Sequence, residues 1–327
     1  MAPSYLITAA NGHIGTRLVP LLLAHPSQPT LVLPTSNSAR LTSSLSAHVD
    51  TSRVQVLEGS VQDPVFVEAA LKNHHVTAVF LCLTGSDELF TTFNFLDCIR
   101  RSGTVKHLVY ISAASDLSLE AQQSGLLKDI YCAHVAVKFI VEAKIMHGLL
   151  PREREGGLSW TILGPTLFFS NDLRGQREML DEGLFDEPLG SKGVSRVSED
   201  DVALAAVNAL EDDGKRWGGK KIMVGSLQTY SNQDTARLWS QALDKDIRPT
   251  LSDKASLDDW EPRFAKKAGA AWGRDVRLMY EIFEEMPFGM TEEQYKEQVA
   301  LLGKEADSYE EFVETTGKEW RQIASSK

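Results

Sequence analysis

The sequence predicts an α/β fold: a doubly wound parallel sheet followed by a smaller, mainly helical lobe. In the first half, short aliphatic runs alternate with stretches of helical period. The first of these runs leads through a glycine-containing turn straight into a helix. After about residue 165 the alternation stops, and an acidic sequence of helical period follows. Near-continuous apolar strands separated by helices indicate a parallel sheet covered on both faces, and right-handed crossovers make it doubly wound.

Composition excludes several classes of protein. The 327 residues are 43% hydrophobic and 24% charged, which is enough for a large buried core. A formal net charge of -11 is the wrong sign for a nucleic-acid partner. No apolar run approaches the roughly 18 residues of a membrane span, so no membrane partner is expected. The 3 cysteines show no Cys-x-x-Cys spacing and are expected to be reduced thiols in the cytoplasm.

The predicted elements follow from periodicity and from cap residues. Six predicted strands are Tyr5–Ala9, Thr30–Leu33, Arg53–Leu57, Val76–Leu83, Val105–Ser112 and Ser159–Leu163. The predicted helices between them are Ile14–Ala24, Ala39–Ala47, Pro64–Leu71, Glu88–Arg101 and Asp129–His147. A further strand at Lys221–Gly225 and helices at Asp200–Leu210 and Asn232–Leu243 come later. The polar, Gly-containing stretch 174–196 is predicted to be a flap over the sheet, and 257–327 a helical tail.

The first strand–turn–helix carries the clearest local motif. Its turn reads Asn11, Gly12, His13, Ile14, Gly15, with Ala9 where the usual fingerprint has its first glycine. Gly12 would allow a pyrophosphate to approach the backbone at the helix N-terminus, and Gly15 would allow the helix to pack closely on the strand. A Gly-x-x-Gly pair alone can also be simple turn punctuation. Its place in the first βα turn favours dinucleotide binding.

The ends of the next strands supply further candidate cofactor contacts. The second strand leads into Thr35, Ser36, Asn37 and Arg40, a segment without a carboxylate. These groups suit a 2′-phosphate, so NADP(H) is the predicted cofactor, although Arg40 could simply begin a helix. The other candidates are Ser60 and Val61 after the third strand, where an adenine would lie, and Leu83 and Thr84 after the fourth. Asp63 before Pro64 is predicted to be a helix cap.

Taken together, the motifs resemble the NmrA-like group of atypical short-chain dehydrogenases. The segments that carry the resemblance are Thr8–Gly15, Val105–Ala113, Lys138–Glu142, Ser159–Phe168 and Tyr309–Trp320. The resemblance spans nearly the whole chain. It implies a Rossmann domain at residues 1–165 with a return strand near 220–225, and a substrate lobe at 166–327. It also implies NADP(H) binding and a cleft between the two parts.

The resemblance implies a lysine, Lys138 here, that holds the nicotinamide ribose of the cofactor and polarises a substrate oxygen or relays a proton in catalysis. No tyrosine in the sequence has a lysine four residues later. On a helix, Tyr131, His134 and Lys138 would share one face, so His134 or Tyr131 could supply a proton. The alternatives are a surface ion pair between Lys138 and Glu142 and a histidine that only packs. Ser112 at the end of the fifth strand could bind cofactor or substrate.

The strand after this helix is expected to border the nicotinamide through Pro165, Thr166 and Leu167. The family commonly has Arg-Pro there, and this chain has Gly164-Pro165. The predicted apolar substrate pocket consists of Phe168, Phe169, Met179 and Phe185, although these side chains could equally be core. No residue spacing suggests a metal site.

Three functions remain open at this point. The first is an NADPH-dependent reductase of a C=C, C=N or C=O bond in a bulky hydrophobic molecule, in secondary metabolism, acting as a monomer or homodimer. The second is a regulator that senses NADP(H) without turnover. The third is a cyclase or isomerase that uses the same pocket.

Overall fold

A computed structural model describes residues 2–45, 51–83, 87–123, 125, 130–152, 154 and 157–325. Its main sheet has seven strands in the order β10-β6-β5-β4-β1-β2-β3, and every pairing in it is parallel. The strands are β1 (Ser4–Ile7), β2 (Thr30–Thr35), β3 (Val54–Glu58), β4 (Ala78–Leu81), β5 (His107–Ile111), β6 (Ser159–Pro165) and β10 (Lys220–Val224). The predicted doubly wound fold is confirmed. The strand order reverses between β1 and β4, where such sheets bind ligands.

Helices cover both faces of the sheet. Those described in the first half are α1 (Gly15–Ala24), α2 (Ser38–Ser44), α3 (Pro64–Asn73), α4 (Glu88–Ser102), α5 (Leu119–Gln123) and α6 (Ala133–Gly148). α1 packs with α7 (Glu199–Asp212) on one face, while α3, α4 and α6 pack on the other. The interior strand β2 is buried on both faces, because Leu31, Val32 and Leu33 alternate sides and all have no exposed surface.

The remaining elements form a second core. They are β7 (Leu167–Phe168), β8 (Leu184–Phe185), β9 (Val194–Val197), β11 (Thr229–Tyr230), β12 (Arg248–Pro249), α8 (Asn232–Leu243), α9 (Lys254–Ala268), α10 (Ala270–Glu285), α11 (Glu292–Leu302) and α12 (Tyr309–Ser325). A 3-10 helix at Phe169–Gly175 and a π-helical turn at Glu178–Glu182 connect β7 to β8. None of the helices in these described residues is long and apolar enough to cross a membrane.

The two cores are interleaved along the chain. α7 and β10 lie on the sheet although they follow β9, and α11 returns to pack on them. Leu301 and Leu302 of α11 belong to the same hydrophobic core as Tyr5 of β1. α12 then packs on α8 in the second core. We call this second core, with the elements around it, the C-terminal lobe.

The segment 174–196 is not the flap that its composition predicts. Met179, Leu189 and Val194 are fully buried in the core of the C-terminal lobe. Arg196 at its end is also fully buried, and its Nη2 donates to Asp172 Oδ1. The polar composition of this segment wrongly predicts an exposed flap, because its charged side chains bind partners inside the lobe.

These charged partners form a buried charge centre of four residues. Asp172 accepts from Arg196, from the Tyr309 hydroxyl and from Trp239 Nε1 at 2.9 Å. The Arg196 guanidinium also lies over the Tyr309 ring, 4.5 Å from its centroid. Two of its nitrogens, Nε and Nη1, are buried without a hydrogen-bond partner among the described residues. The centre joins the 3-10 helix, β9, α8 and α12.

Candidate functional site

The turn between β1 and α1 is closed by backbone contacts. Ala9 has a φ of 51°, the left-handed conformation that favours glycine, and its carbonyl accepts from the Gly12 N–H at 2.8 Å. Ala9 thus adopts the left-handed conformation at the position where the usual fingerprint has its first glycine. A Cβ on Gly15 would lie 2.2 Å from the Ala9 oxygen, so only glycine allows α1 to begin this close to the strand.

The N-terminus of α1 is available for an anion. No side chain caps it, whereas Asp63 caps α3, as predicted, and Ser231 caps α8. Uncapped N–H groups and the helix dipole together favour a phosphate. A Cβ on Gly12 would meet only Ala9, at 3.1 Å from its oxygen, so the outer side of the turn is open. These residues fit the pyrophosphate of a dinucleotide, while Asn11 is half-buried and His13 exposed beside them.

The loop after β2 is partly occupied by its own contacts. The Asn37 side chain caps α2 by accepting from the Arg40 N–H at 2.8 Å, and Thr35 Oγ1 accepts from the Asn37 N–H at 3.2 Å. Ser36 and the Arg40 side chain are exposed. Asn37 is exposed as well, but its side chain is engaged in this cap, so Ser36 and Arg40 are the better candidates for contact with a phosphate.

Sequence reasoning missed a carboxylate beside this loop. Glu58 ends β3, in register with Thr35, and its Oε2 accepts from both the N–H and the hydroxyl of Ser38. These hydrogen bonds lower the pKa of Glu58, so its negative charge persists. The available signal was its place as the last residue of the neighbouring parallel strand.

The other predicted adenine and ribose contacts lie at the same sheet edge. Ser60 is exposed and accepts from the Gln62 N–H at 3.1 Å, while Val61 and Leu83 pack partly against the sheet core. Thr84 lies outside the described residues. Thr8, which the sequence reasoning did not single out, accepts from the Cys82 N–H at 2.8 Å and thereby joins the ends of β1 and β4.

Lys138 is buried at the carboxyl end of β5. Its ammonium donates to Glu88 Oε1 and to the Ile111 carbonyl at 3.3 Å, and it lies 5.2 Å from the centroid of the Tyr110 ring. The Tyr110 hydroxyl donates to the same Glu88 oxygen at 2.8 Å. The alternative of a surface pair with Glu142 is therefore wrong, because α6 turns Lys138 inward toward α4.

A second buried pair adjoins the first. The fully buried Glu142 accepts from the Ser112 hydroxyl and, at 2.7 Å, from the ammonium of Lys221 on β10. Burial lowers the pKa of Lys221. Glu142 Oε2 has no hydrogen-bond partner among the described residues. Ser112 is thus held by a carboxylate–lysine pair, which the sequence did not reveal because Lys221 comes from a strand far along the chain.

Tyr131 does not lie on the helical face that His134 and Lys138 share on α6. α6 begins at Ala133, so Tyr131 precedes it, and its hydroxyl donates to Glu285 at 3.2 Å. His134 Nδ1 pairs with Asp275 of α10. Both side chains therefore contact the C-terminal lobe, and the prediction of one common face for the three is wrong.

The end of β6 lies beside Ser112. Pro165 ends the strand, and the N–H of the buried Thr166 donates to the Val224 carbonyl at 2.9 Å before β7 begins at Leu167. A Cβ on Gly164 would lie 2.8 Å from the Ala113 oxygen and 3.0 Å from Met223 Sδ. No room is left for the arginine that the family commonly has there.

The predicted apolar pocket is largely core. Phe169 and Met179 are buried in the C-terminal lobe, and the half-buried Phe168 packs against the sheet core. Phe185 is also core, although it borders a cavity of about 500 Å³ between the segment 172–187 and helices α9 and α10. The prediction of an open pocket is wrong for Phe169 and Met179, because both are buried in the core of the lobe, where Tyr309 and Phe312 of α12 contact the Phe169 ring.

One residue of the cavity wall contacts α6. Trp272 of α10 borders the cavity, and its ring centroid lies 5.4 Å from that of His134. Lys138 lies one helical turn further along α6, where its ammonium reaches the carboxyl end of β5. Within the described residues, no group of His, Cys, Asp or Glu side chains could hold a metal ion.

Two curated relatives are similar to the chain. An oxidoreductase of Pestalotiopsis microspora is 26% identical over 236 residues, which cover 68% of this chain and 84% of the relative. An NAD(P)H azoreductase of Xenophilus azovorans is 30% identical over 95 residues, which cover 29% of this chain and 32% of the relative.

Solved structures share the fold. The NADPH-dependent quinone oxidoreductase of Escherichia coli, complexed with NADPH, aligns with a TM-score of 0.70 at 17% identity over 95% of this chain and 99% of that one. The triphenylmethane reductase of Citrobacter sp., complexed with NADP(H), aligns with a TM-score of 0.69 at 17% identity over 96% of this chain and 99% of that one. The negative transcriptional regulator NmrA, in complex with NADP, aligns with a TM-score of 0.70 at 14% identity over 96% of this chain and 95% of that one. The resemblance to the NmrA-like group is confirmed in the fold.

The family assignment follows from the match over the sheet half. The family described as NAD(P)H-binding matches residues 9–213, more than half of the chain, from Ala9 in the glycine turn to the end of α7. The match agrees with the prediction of NADP(H) as the cofactor. The chain belongs to the NAD(P)H-binding family.

Proposed function

We propose that the protein is an NADPH-dependent reductase that acts on a C=C, C=N or C=O bond of a bulky aromatic molecule bound in the cavity beside α6. One observation carries the proposal: the buried ammonium of Lys138 lies at the carboxyl end of β5, on the helix whose His134 contacts Trp272 of that cavity. A cytosolic location belongs to the same proposal, since Cys82, Cys98 and Cys132 are free thiols.

The relatives support reductase activity on conjugated aromatic compounds. They include an azoreductase, a quinone oxidoreductase and a triphenylmethane reductase. These names refer to reductases and to an oxidoreductase of azo, quinone and triphenylmethane compounds, all of which carry unsaturated or aromatic groups. The five aromatic side chains around the cavity, described below, are suited to such a substrate.

NADPH, when bound, would supply the hydride for this reaction. On the protein, Ser36 and Arg40 would bind the 2′-phosphate. The negative charge of Glu58, which lies beside this loop, would oppose the binding of the phosphate. The amides at the start of α1 would hold the pyrophosphate. Lys138 would hold a proton at Nζ, where Glu88 stabilises the ammonium form, and Ser112 would orient a polar group of the substrate.

Replacement of Lys138 by methionine tests the assignment. Loss of a proton-holding group is expected to lower kcat by about a hundredfold or more. The Kd for NADPH, from quenching of tryptophan fluorescence, should remain within about threefold because the 2′-phosphate and pyrophosphate contacts are unchanged. Turnover is followed by NADPH oxidation with quinone, azo and triarylmethane acceptors.

Lys144→Met is the matched control. Lys144 lies on the same helix, and its ammonium donates to the Gly148 carbonyl at the helix end, at 3.2 Å, so its loss should leave kcat unchanged. A Lys138→Met variant with wild-type kcat would remove this residue from the mechanism.

A regulatory role is a second candidate. The Lys138 ammonium is already paired with Glu88, and both side chains are almost completely buried, as expected of a structural pair. A cofactor sensor would bind NADP⁺ and NADPH with clearly different affinities and oxidise NADPH with none of the acceptors.

A further inference from the structure

The cavity of the C-terminal lobe has an aromatic wall. Its aromatic residues are Phe185, Trp260, Phe264, Trp272 and Tyr280. Trp260 and Phe264 are stacked with centroids 4.7 Å apart, and Trp272 is partly exposed. At about 500 Å³ the cavity is large enough for a molecule of two or three rings.

Most charged residues of this cavity are neutralised by partners. Lys267 pairs with Glu178 at 2.9 Å, and Arg263 pairs with Asp186, with Nη2 3.1 Å from Oδ1. Asp172 is held in the buried charge centre. These pairs contribute little net charge to the cavity.

Glu187 differs from these residues. It borders the cavity, has no ion pair among the described residues, and its Oε2 is closed off from solvent without a hydrogen-bond partner. Burial, followed by the negative charge of Asp172, raises the pKa of Glu187 to about 7, and Arg196 and Arg174 oppose this rise. A carboxylate in this position is poorly solvated and gains from an incoming positive charge.

Two other charged residues of the cavity also have no ion pair among the described residues, and both are exposed. Arg174 contacts Asn171, and Glu182 lies in the π-helical turn. Charges in contact with water are screened, while a carboxylate oxygen closed off from solvent acts at lower effective dielectric. Of these three charges on the cavity wall, that of Glu187 is therefore the least screened.

We propose that this cavity binds a planar aromatic cation, with the rings packed on the aromatic wall and Glu187 as the counter-ion. Aromatic faces attract cations, and a buried carboxylate strengthens the attraction. The inference rests on the proposed function in one respect: it defines the substrate class of the same cavity. Binding itself does not require turnover.

The pH dependence of binding follows from the groups around Glu187. Those that face it are Asp172 and Arg174 of the 3-10 helix, Asp186 beside it, Arg196 of β9 and Tyr280 of α10. Glu187 is the group with a pKa of about 7. A permanently charged ligand should therefore bind more tightly as the pH rises through neutrality and Glu187 loses its proton.

The probe is thioflavin T, a permanent aromatic cation whose fluorescence rises when it is held rigid. The matched neutral ligand is the benzothiazole-aniline that lacks the ring N-methyl group. We expect the cation to bind about tenfold more tightly than the neutral ligand at pH of about 8. We also expect its Kd to fall by about threefold or more between pH of about 6 and about 8.

The Glu187→Gln variant should bind both ligands equally and lose the pH dependence. Asp181→Asn, an exposed carboxylate in the neighbouring π-helical turn, is the control and should behave like the wild type. NADPH binding by each variant checks that it is folded. Equal binding of the two ligands by the wild type, a full cation preference in Glu187→Gln, or no binding of either ligand would each overturn the proposal.

The readout separates this proposal from the proposed function. A protein that binds the cation but reduces no acceptor would refute the reductase and leave the cation site. A protein that reduces neutral quinones without preferring the cation would refute the cation site alone.

Discussion

The glycine turn of the sheet half and the buried charge centre of the C-terminal lobe bury polar groups in different ways. Around the turn, the contacts are made by the backbone and by short side chains such as Thr8. In the charge centre, Asp172 and Arg196 bring full charges into the core, and two nitrogens of Arg196 lack hydrogen-bond partners among the described residues. A crowded backbone turn can relax by a small shift, whereas a buried charge depends on one specific partner. The charge centre should therefore be the more sensitive of the two to single substitutions.

The largest effect is expected from a substitution that disrupts the buried charge centre. Asp172→Asn would leave the Arg196 guanidinium buried without its counter-ion, so the free energy of unfolding should fall by about 3–5 kcal/mol. Urea denaturation measures this. Asp97→Asn removes an exposed carboxylate on α4 and should change the same quantity by less than about 1 kcal/mol. A loss below about 1 kcal/mol for Asp172→Asn would show that the lobe does not depend on this pair.

A smaller effect is expected in the turn, where substitution of one glycine should lower stability and substitution of the other should weaken NADPH binding. Gly15→Ala places its Cβ 2.2 Å from the Ala9 oxygen, so the backbone must shift and the free energy of unfolding should fall by about 1–3 kcal/mol. Gly12→Ala places its Cβ 3.1 Å from the same oxygen, so the fold should survive.

Gly12→Ala should instead weaken NADPH binding by about tenfold or more, because its methyl group occupies the open side of the turn. Thermal denaturation and fluorescence titration are the two measurements. If Gly12→Ala binds NADPH like the wild type, the open side of this turn is not where the dinucleotide binds.

The two regions should also respond to pH in opposite directions. Burial lowers the pKa of His107 in β5 from 6.5 to about 4, so its contribution to stability is present above 6.5 and is lost as the pH falls toward 4. Burial raises the pKa of Glu187 from 4.5 to about 7, so the folded lobe holds a proton that the unfolded chain releases, and stability falls as the pH rises through this interval.

Urea denaturation across this pH range tests both pH dependences of the free energy of unfolding. The variants of His107 and Glu187 serve as controls for each other. His107→Gln should remove the loss of stability on the acid side, and Glu187→Gln should remove the decline toward neutral pH. The sharpest contradiction would be a Glu187→Gln variant that retains the full decline.

The difference between the regions also explains what sequence reasoning could predict. Alternating apolar runs and caps such as Asp63 act over a few residues, and all seven strands of the main sheet were found within a few residues of their true ends. The segment 174–196 was misjudged, because the partners of Arg196 come from elements before and well after it. Local patterns carry no information about such distant pairs.

The same distinction between local patterns and distant partners applies to the candidate site. The glycine turn and Lys138 were found from spacing and from the family resemblance. Glu88, the partner of Lys138, comes from α4, and Lys221, the partner of Glu142, comes from β10. Phe169 and Met179 were assigned to a pocket because aromatic and aliphatic residues near a cleft look the same in sequence whether they border it or fill the core.

The interleaving of the two cores has a consequence for synthesis on the ribosome. The edge strand β10 ends at Val224, and the core under β1 is completed by Leu301 and Leu302. An emerging chain can form β1 to β6 early, yet the face of the sheet that α1 and α7 cover is completed only when α11 has left the exit tunnel. Part of the apolar surface of that face therefore stays exposed during much of translation, and the sheet is expected to reach its full stability only after α11 has packed on it.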